Sequence, residues 1–194
     1  MKTGGITRRE FLGGCAATAL GSAASAWGAS ASPAMHAGAA RQTMALDRGW
    51  LFGGKLRAGA AGTGFDDASF ARIDLPHTVT PLSWQNWNPE TWEDVWIYRR
   101  HFSAPAAWRG LRVFAHFDRV MAGATPAVNG QNLEPHLGGF LPFEREITSL
   151  VHGGANTLAV AVDGRWLNVP PSGSPRGPAS VDYLLPGGIT GGVE

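Results

Sequence analysis

The chain has 194 residues, a formal net charge of +1 at pH 7, and a composition that is 44% hydrophobic and 16% charged. This length and hydrophobic content predict one domain with a sizeable core, and the balanced charge gives no basic surface that would select nucleic acid or an anionic membrane. The 27 glycines and 13 prolines favour short strands joined by turns over long helices.

The first segment is typical of a bacterial export signal. Arg8 and Arg9 precede a weakly hydrophobic, alanine-rich stretch, and the small residues 29–31 suit a signal peptidase, with 24–26 as a second choice. We predict a cleavable twin-arginine signal over residues 1–31, which places the protein in the periplasm or outside the cell. The alternative is an ordinary basic amphipathic N-terminus. The stretch is too short for a stable anchor, so we expect no membrane association after cleavage.

Cys15 is the single cysteine of the chain. Its context, LGGC, loosely resembles a lipoprotein box, but no hydrophobic region separates it from the two arginines. Lipidation is therefore the weaker alternative to signal cleavage. A cleaved chain would hold no cysteine, which excludes disulfides, thiol catalysis and thiolate metal sites.

Residues 32–43 are small and polar, and we predict a disordered lead-in there. From residue 44 the chain alternates short apolar or aromatic runs with turns. The predicted strands are, in order, residues 50–52, 72–75, 95–102, 111–118 and 156–163. In the third of these, Trp96 and Tyr98 alternate with Ile97 and Arg99. Since no long window keeps a 3.6-residue apolar period, we predict an all-β sandwich over residues 44–194.

Two residues define the turn chemistry near residue 130. Asn129-Gly130 suits a two-residue hairpin, because both residues tolerate a positive φ. Pro126 lies in the strand before that turn, and proline has no amide for a ladder hydrogen bond. We therefore predict that this strand is at a sheet edge or is bulged.

Common catalytic patterns fail in this sequence. Residues 49–55 have the spacing of a phosphate-binding loop, but Leu56 carries no hydroxyl for a magnesium ion. The six histidines lie too far apart to share a metal, and no serine sits in a nucleophile elbow. The carboxylates are clustered in turns rather than shown to face each other across a sugar. We predict no catalytic residue, no metal site and no cofactor.

The segment WQNWNPETWEDVW, residues 84–96, holds half of the eight tryptophans among amides and carboxylates. Aromatic faces stack on the C–H faces of sugar rings, while amides and carboxylates bind the hydroxyls. Trp87, Asn88, Glu90 and Trp92 are therefore candidate carbohydrate contacts. The alternative is that the tryptophans pack in the core or in an interface, and Trp96 is the most core-like because it begins a strand.

Several stretches, in order, resemble the N-terminal sugar-binding domain of glycoside hydrolase family two, the β-galactosidase, β-mannosidase and β-glucuronidase group. They are LDRGWLF, FDDASFARIDLPHTV, WIYRRHF, VNGQNLEPHLGGFLPFEREIT, GGANTLAVAVD, VPPSG and LLPGGIT. The resemblance implies a jelly-roll sandwich of the galactose-binding type, while the catalytic glutamates of the family lie in a TIM barrel. In the hairpin stretch, Asn129 and His136 are further contact candidates, although a turn role is the main alternative for Asn129.

The sequence departs from the family pattern near its end. The family usually reads Gly-Ile-x-Arg-Asp-Val, and here the Arg and Asp positions hold Gly191 and Gly192. We predict a carbohydrate-binding domain of a β-galactosidase-like glycosidase that is present without its barrel and is not catalytic alone. One alternative is the N-terminal piece of a split glycosidase whose barrel is separately encoded. The other is a non-functional structural fragment.

Overall fold

The computed structural model describes residues 41–81, 83, 85, 88–165 and 186–194. Strands dominate these residues, and the only helical elements among them are 3-10 turns at Pro89–Thr91 and Ala106–Trp108. The strands are β1 (Trp50–Lys55), β2 (Ala71–Ile73), β3 (Val95–Ala104), β4 (Phe114–Phe117), β5 (Val120–Met121), β6 (Gly123–Val128), β7 (Gln131–Asn132), β8 (His136–Leu137), β9 (Phe143–Glu146), β10 (Gly154–Asp163) and β11 (Gly188–Ile189). The predicted all-β class is confirmed. No helix in this part of the chain is long and apolar enough to cross a membrane.

The larger sheet is antiparallel throughout, with the strand order β2-β1-β3-β10-β6-β7, and β8 also pairs with β6. Its centre is the ladder between β3 and β10, which runs without a register shift from Val95 opposite Asp163 to Ala104 opposite Gly154. Ten residues of extended chain span about 33 Å. This long ladder therefore defines two well-separated ends of the domain.

The opposing layer is built from shorter pieces. Strand β4 pairs with β9, and β5 pairs with β11. The last residues run beside β4, where Val193 bridges Phe117 and the Glu194 amide donates to the His116 carbonyl at 3.0 Å. These last residues thus add to this layer.

The main core lies between the two layers. The larger sheet contributes Trp50, Tyr98 and Phe102, and the second layer contributes Phe117 and Phe143, whose rings stack with centroids 4.8 Å apart. The alternation predicted for β3 is confirmed, because Tyr98 faces this core while the preceding residue, Ile97, belongs to a second cluster on the other face. Burial of these large aromatic rings is the main source of stability.

A second, smaller core covers the outer face of the larger sheet. Ile97 of β3 packs there with Phe70, Ala127 and Ala159 beneath the loop that joins β1 to β2. Arg99 lies on this same face and is fully buried. The larger sheet is therefore covered on both faces at its centre, which explains the continuous apolar run of β10 over residues 158–162.

Two predictions need correction. The strand predicted over residues 111–118 is shorter, since β4 begins at Phe114 and Leu111 is 42% exposed in the loop before it. The strand with Pro126 is neither bulged nor at a free edge, because it pairs with β10 in unbroken register and with β7 and β8 on its other side.

The geometry of β6 explains how proline is tolerated there. The Pro126 carbonyl accepts from the Leu133 amide at 2.8 Å, on the side of β7. In an antiparallel strand the amide and carbonyl of one residue point to the same side, so the missing donor also points away from β10. Strands β7 and β8 pair with the two ends of β6 and leave this position between them. The ladder to β10 consequently loses no hydrogen bond.

Candidate functional site

The tryptophan-rich segment leads directly into β3. Trp92 is 1% exposed, and its carbonyl accepts a hydrogen bond from Trp96 Nε1 at 2.8 Å. A ring buried to this degree offers no face to a sugar, so the structure contradicts a stacking role for Trp92 and places it in the interior. Trp96 is also buried, which agrees with its assignment as a core residue. Trp87 lies outside the described residues.

Asn88 and Glu90 occupy an exposed turn next to this buried ring. The Asn88 Oδ1 accepts from the Glu90 amide at 3.1 Å, and the Asn88 carbonyl accepts from both the amide and the hydroxyl of Thr91. These bonds hold the 3-10 turn in one conformation. The Glu90 carboxylate makes no ion pair or hydrogen bond with the described part of the chain, so it remains available to a ligand.

His136 lies at the same end of the larger sheet as this turn. A row of residues crosses the sheet there through successive strand pairs: Val95, Asp163, Gly123 and Leu137. With strands about 4.8 Å apart, the row is about 14 Å long. The register therefore brings the turn at Asn88 and the strand that holds His136 to one rim.

The His136 side chain itself is committed to packing. Its ring stacks on Phe143 with centroids 4.2 Å apart and an interplanar angle of 18°. Burial, together with the nearby charge of Arg145, lowers the pKa of His136. Its Nε2 is buried and has no hydrogen-bond partner in the described residues. Because this nitrogen is buried and the ring packs on Phe143, His136 Nε2 is not accessible to a sugar hydroxyl.

Asn129 has a structural role that occupies its whole side chain. Its φ of 51° is the left-handed conformation required by the hairpin turn, as predicted. Its Nδ2 donates to the Leu150 carbonyl and to Asn156 Oδ1, both at 2.8 Å, and its Oδ1 accepts from the Thr157 amide at 2.9 Å. Because these bonds use both donors and the oxygen, the side chain has little capacity left for a sugar.

Two other carboxylates near this rim are paired with cations. Asp94 meets Lys55 at 2.7 Å, and Asp163 meets Arg165 at 2.6 Å. Hydrogen bonds from Lys55 and from the Val95 amide lower the pKa of Asp94. The Asp94 carboxylate is thus ionised near neutral pH and serves as an acceptor rather than an acid. The described residues contain no group of three or more potential metal ligands.

A polar cluster beneath the β1–β2 loop was not predicted from the sequence. Arg99 donates to Asp67 at 2.7 Å and to the carbonyls of Ala60 and Gly62, and His101 meets the same carboxylate at 2.8 Å. The sequence feature that could have indicated this cluster is the position of Arg99, which lies on the same face of β3 as Ile97 and not on that of Tyr98. This cluster holds the loop on the sheet and is not part of the rim.

No protein-family model matches the chain. Among curated proteins, it is 36% identical over 128 residues to a β-galactosidase of Thermoanaerobacter pseudethanolicus, which covers 64% of this chain and 17% of that protein. It is 28% identical over 152 residues to a β-galactosidase of Thermoanaerobacterium thermosulfurigenes, covering 77% of this chain and 20% of the relative.

Solved structures give the same result. The β-glucuronidase 2 of Bacteroides uniformis, covalently bound to cyclophellitol-6-carboxylate aziridine, superimposes with a TM-score of 0.64 and 29% identity over 78% of this chain and 17% of that one. A glycosyl hydrolase family 2 member from Bacteroides cellulosilyticus matches with a TM-score of 0.56 and 30% identity, covering 63% of this chain and 18% of that structure.

The layered all-β fold and these matches define a β-sandwich domain related to glycosidases. The chain corresponds to a partial domain of glycoside hydrolase family two, as its motifs predicted. It spans between 17% and 20% of the length of the two curated β-galactosidases.

Proposed function

We propose that this chain is a carbohydrate-binding domain of a β-galactosidase-like or β-glucuronidase-like glycosidase. The observation that carries the proposal is the match to such enzymes in both sequence and fold over most of the chain. The sugar site we assign is the rim at the start of β3, where Asn88 and Glu90 are exposed on a hydrogen-bonded turn. Trp87 completes the proposed contact set, and His136 is left out because its Nε2 is buried.

The rim has the chemistry that weak sugar recognition needs. The Glu90 carboxylate can accept two hydroxyl hydrogen bonds, and bonds to an ionised acceptor are stronger than neutral ones. The turn is held by hydrogen bonds from Glu90 and Thr91 to Asn88, so little conformational entropy is lost when a sugar binds. Asn129 is not part of the proposed site, because its polar atoms are already used.

The experiment is a titration of the purified chain with methyl β-galactoside, methyl β-glucuronide and methyl β-mannoside, followed by amide chemical shifts. We expect shifts at residues 88–91 with at least one sugar. Glu90→Gln should weaken that binding by about tenfold, since a charge-assisted hydrogen bond is lost. The matched control is Glu134→Gln, an exposed glutamate in the loop between β7 and β8. If the chain unfolds cooperatively but no sugar changes its amide chemical shifts, only the hypothesis of a non-functional structural fragment remains.

Hydrolysis is proposed only together with a catalytic barrel from a separately encoded chain. The support is that this chain spans 17% of the β-galactosidase it matches at 36% identity. The chain alone should not release nitrophenol from nitrophenyl β-galactoside or β-glucuronide. Co-expression with a barrel encoded directly downstream should restore release. Turnover by the purified chain alone, with contaminating enzymes excluded, would contradict this proposal.

We also propose export by the twin-arginine route, supported by Arg8 and Arg9 ahead of the alanine-rich stretch. Residues 1–40 lie outside the described residues. Changing both arginines to lysine should retain the protein inside the cell in a fractionation assay. Arg41→Lys, beyond the predicted cleavage site, serves as the control and should be exported normally.

A further inference from the structure

A groove with a volume of about 690 Å³ opens at the other end of the β3–β10 ladder. Its walls are the chain that follows β3, residues 104–113, and the chain that precedes β10, residues 148–154. The exposed turn at Asn88 lies before the first residue of β3, so about 33 Å of ladder separates it from this groove. The groove is therefore distinct from the sugar site proposed above.

The floor of the groove is apolar. Trp108, Val113 and Val151 line it and are half-buried against the main core. Leu111, also in the lining, is 42% exposed. The 3-10 turn at Ala106–Trp108 fixes the tryptophan, whose amide donates to the Pro105 carbonyl at 3.0 Å. A partly exposed indole over a packed base is a suitable surface for the C–H face of a sugar ring.

The rim of the groove carries basic side chains. Its lining includes Arg109, Arg112 and His152 but no carboxylate. Arg112 is held by Glu146 at 2.8 Å and lies over the Phe114 ring at 4.8 Å. Arg109 and His152 are exposed, and their side chains make no ion pair or hydrogen bond with the rest of the described chain. One free guanidinium and one free imidazole thus stand beside the apolar floor.

Both walls are held by internal hydrogen bonds. On one wall, Asn156 is 2% exposed and bonds to the amide and carbonyl of His152, both at 2.8 Å, and to the Gly154 carbonyl at 2.9 Å. On the other, the Val113 amide donates to the Thr148 hydroxyl at 2.9 Å, and this hydroxyl donates to Glu146 at 2.8 Å. A site whose walls are fixed before binding avoids the entropy cost of ordering them.

We propose that this groove binds an anionic carbohydrate, with a sugar ring over Trp108 and the anionic group of the sugar at Arg109 and His152. A guanidinium binds carboxylates and sulfate esters in the same planar, two-pronged geometry, so the shared chemistry is an oxyanion carried on a sugar. The apolar floor selects against a free inorganic anion, which has no surface to stack. The proposal does not depend on the rim site at Asn88.

The test uses the whole chain and four probes: a trigalacturonide, a sulfated galactotriose, neutral galactotriose and inorganic sulfate. Amide shifts at Arg109, Leu111 and His152 report on this groove, while shifts at residues 88–91 report on the other rim. We expect the charged trisaccharides to shift the groove amides at concentrations at least tenfold below neutral galactotriose. A preference between the two charged probes distinguishes a carboxylate from a sulfate ester.

The decisive variant is Arg109→Gln, which removes the charge of an exposed side chain and should leave the fold intact. We expect binding of the charged probes to weaken by about tenfold, since one charge-assisted hydrogen bond is lost. Arg72→Gln, an exposed arginine on β2, is the matched control and should change nothing. Equal binding of neutral and charged trisaccharides, no groove shift with any probe, or full competition by inorganic sulfate would each overturn the proposal.

Discussion

The Nε of Arg99 donates to the Asp67 carboxylate at 2.7 Å, although 32 positions separate the two residues in the chain. The Arg99 side chain is fully buried, and that of Asp67 is 17% exposed. Burial of the Asp67 carboxyl opposes its ionisation, but hydrogen bonds from Arg99 and His101 outweigh this and lower its pKa. The pair fixes the β1–β2 loop on the outer face of the sheet.

Breaking this pair should be costly. Asp67→Asn leaves the Arg99 charge buried without its counterion, and we expect the free energy of unfolding to fall by about 3 kcal/mol. Urea unfolding followed by tryptophan fluorescence measures the loss. The exposed pair of Lys55 and Asp94 is the control, since Lys55→Ala should cost less than about 1 kcal/mol. Equal losses in both variants would show that burial adds nothing to the Arg99 pair.

Stability should fall as the pH drops below neutrality. Burial lowers the pKa of His77 and of His136, where Arg145 adds to the effect, so the folded chain binds fewer protons than the unfolded one. A histidine with a depressed folded pKa loses stability as the pH falls through the unfolded value of about 6.5. Urea unfolding at pH 8, 6.5 and 5.5 should show this decline.

The variant His136→Phe isolates one of these contributions. Phenylalanine retains a ring that can stack on Phe143 but cannot be protonated, so the decline between pH 8 and 5.5 should become shallower. A slope identical to that of the unchanged chain would contradict a contribution from His136. Asp67 also makes the chain less stable as the pH falls, but at lower pH. Because its pKa is lowered in the folded chain, the stabilisation from its ionised carboxylate is lost only as that carboxylate is protonated, below about pH 4.

Two variants of the hairpin residue Asn129 measure the effect of its backbone conformation separately from that of its hydrogen bonds. Asn129→Gly keeps the positive φ but loses three side-chain hydrogen bonds, and we expect a loss of about 2 kcal/mol. Asn129→Ala loses the same bonds and adds the cost of a left-handed conformation, a further loss of about 1 kcal/mol. Equilibrium unfolding measures both. An alanine variant as stable as the glycine variant would argue against the observed turn geometry.

Gly191 should not tolerate a side chain. A Cβ placed there would lie 2.6 Å from Asp118 Cβ and 2.7 Å from the Arg119 amide nitrogen, so backbone would have to move. We expect Gly191→Ala to lower the melting temperature, with a loss of about 2 kcal/mol. Gly64→Ala is the matched control, because no atom lies within 4 Å of a Cβ there. The arginine that the family pattern places at this position therefore does not fit this backbone.

Local patterns predicted the strands better than the site. The alternation of Tyr98 with Ile97 is visible in the sequence, because adjacent strand residues face opposite sides of a sheet. The Asn129-Gly130 turn was also predictable, since its chemistry is local. The burial of Arg99 was not, because its partner Asp67 lies in a distant loop. Trp92 was misjudged for a similar reason: its exposure depends on what the turn packs against.

Contacts across the sheet could not be predicted from the sequence either. That the turn at Asn88 and the strand of His136 share one rim follows from the register of four strands. The groove beside Trp108 arises where two loops meet at the end of one ladder. Both sites are products of long-range pairing, which single-sequence periodicity does not report.

The position of Pro126 has a consequence for behaviour at high concentration. Sheets grow into fibrils when an outside strand adds to unpaired amides and carbonyls along a margin. Between β7 and β8 that margin offers no amide at Pro126, and the Leu133 amide already uses the carbonyl. A strand from another molecule would find no donor there, so the gap in the outer border of the sheet is closed to polymerisation.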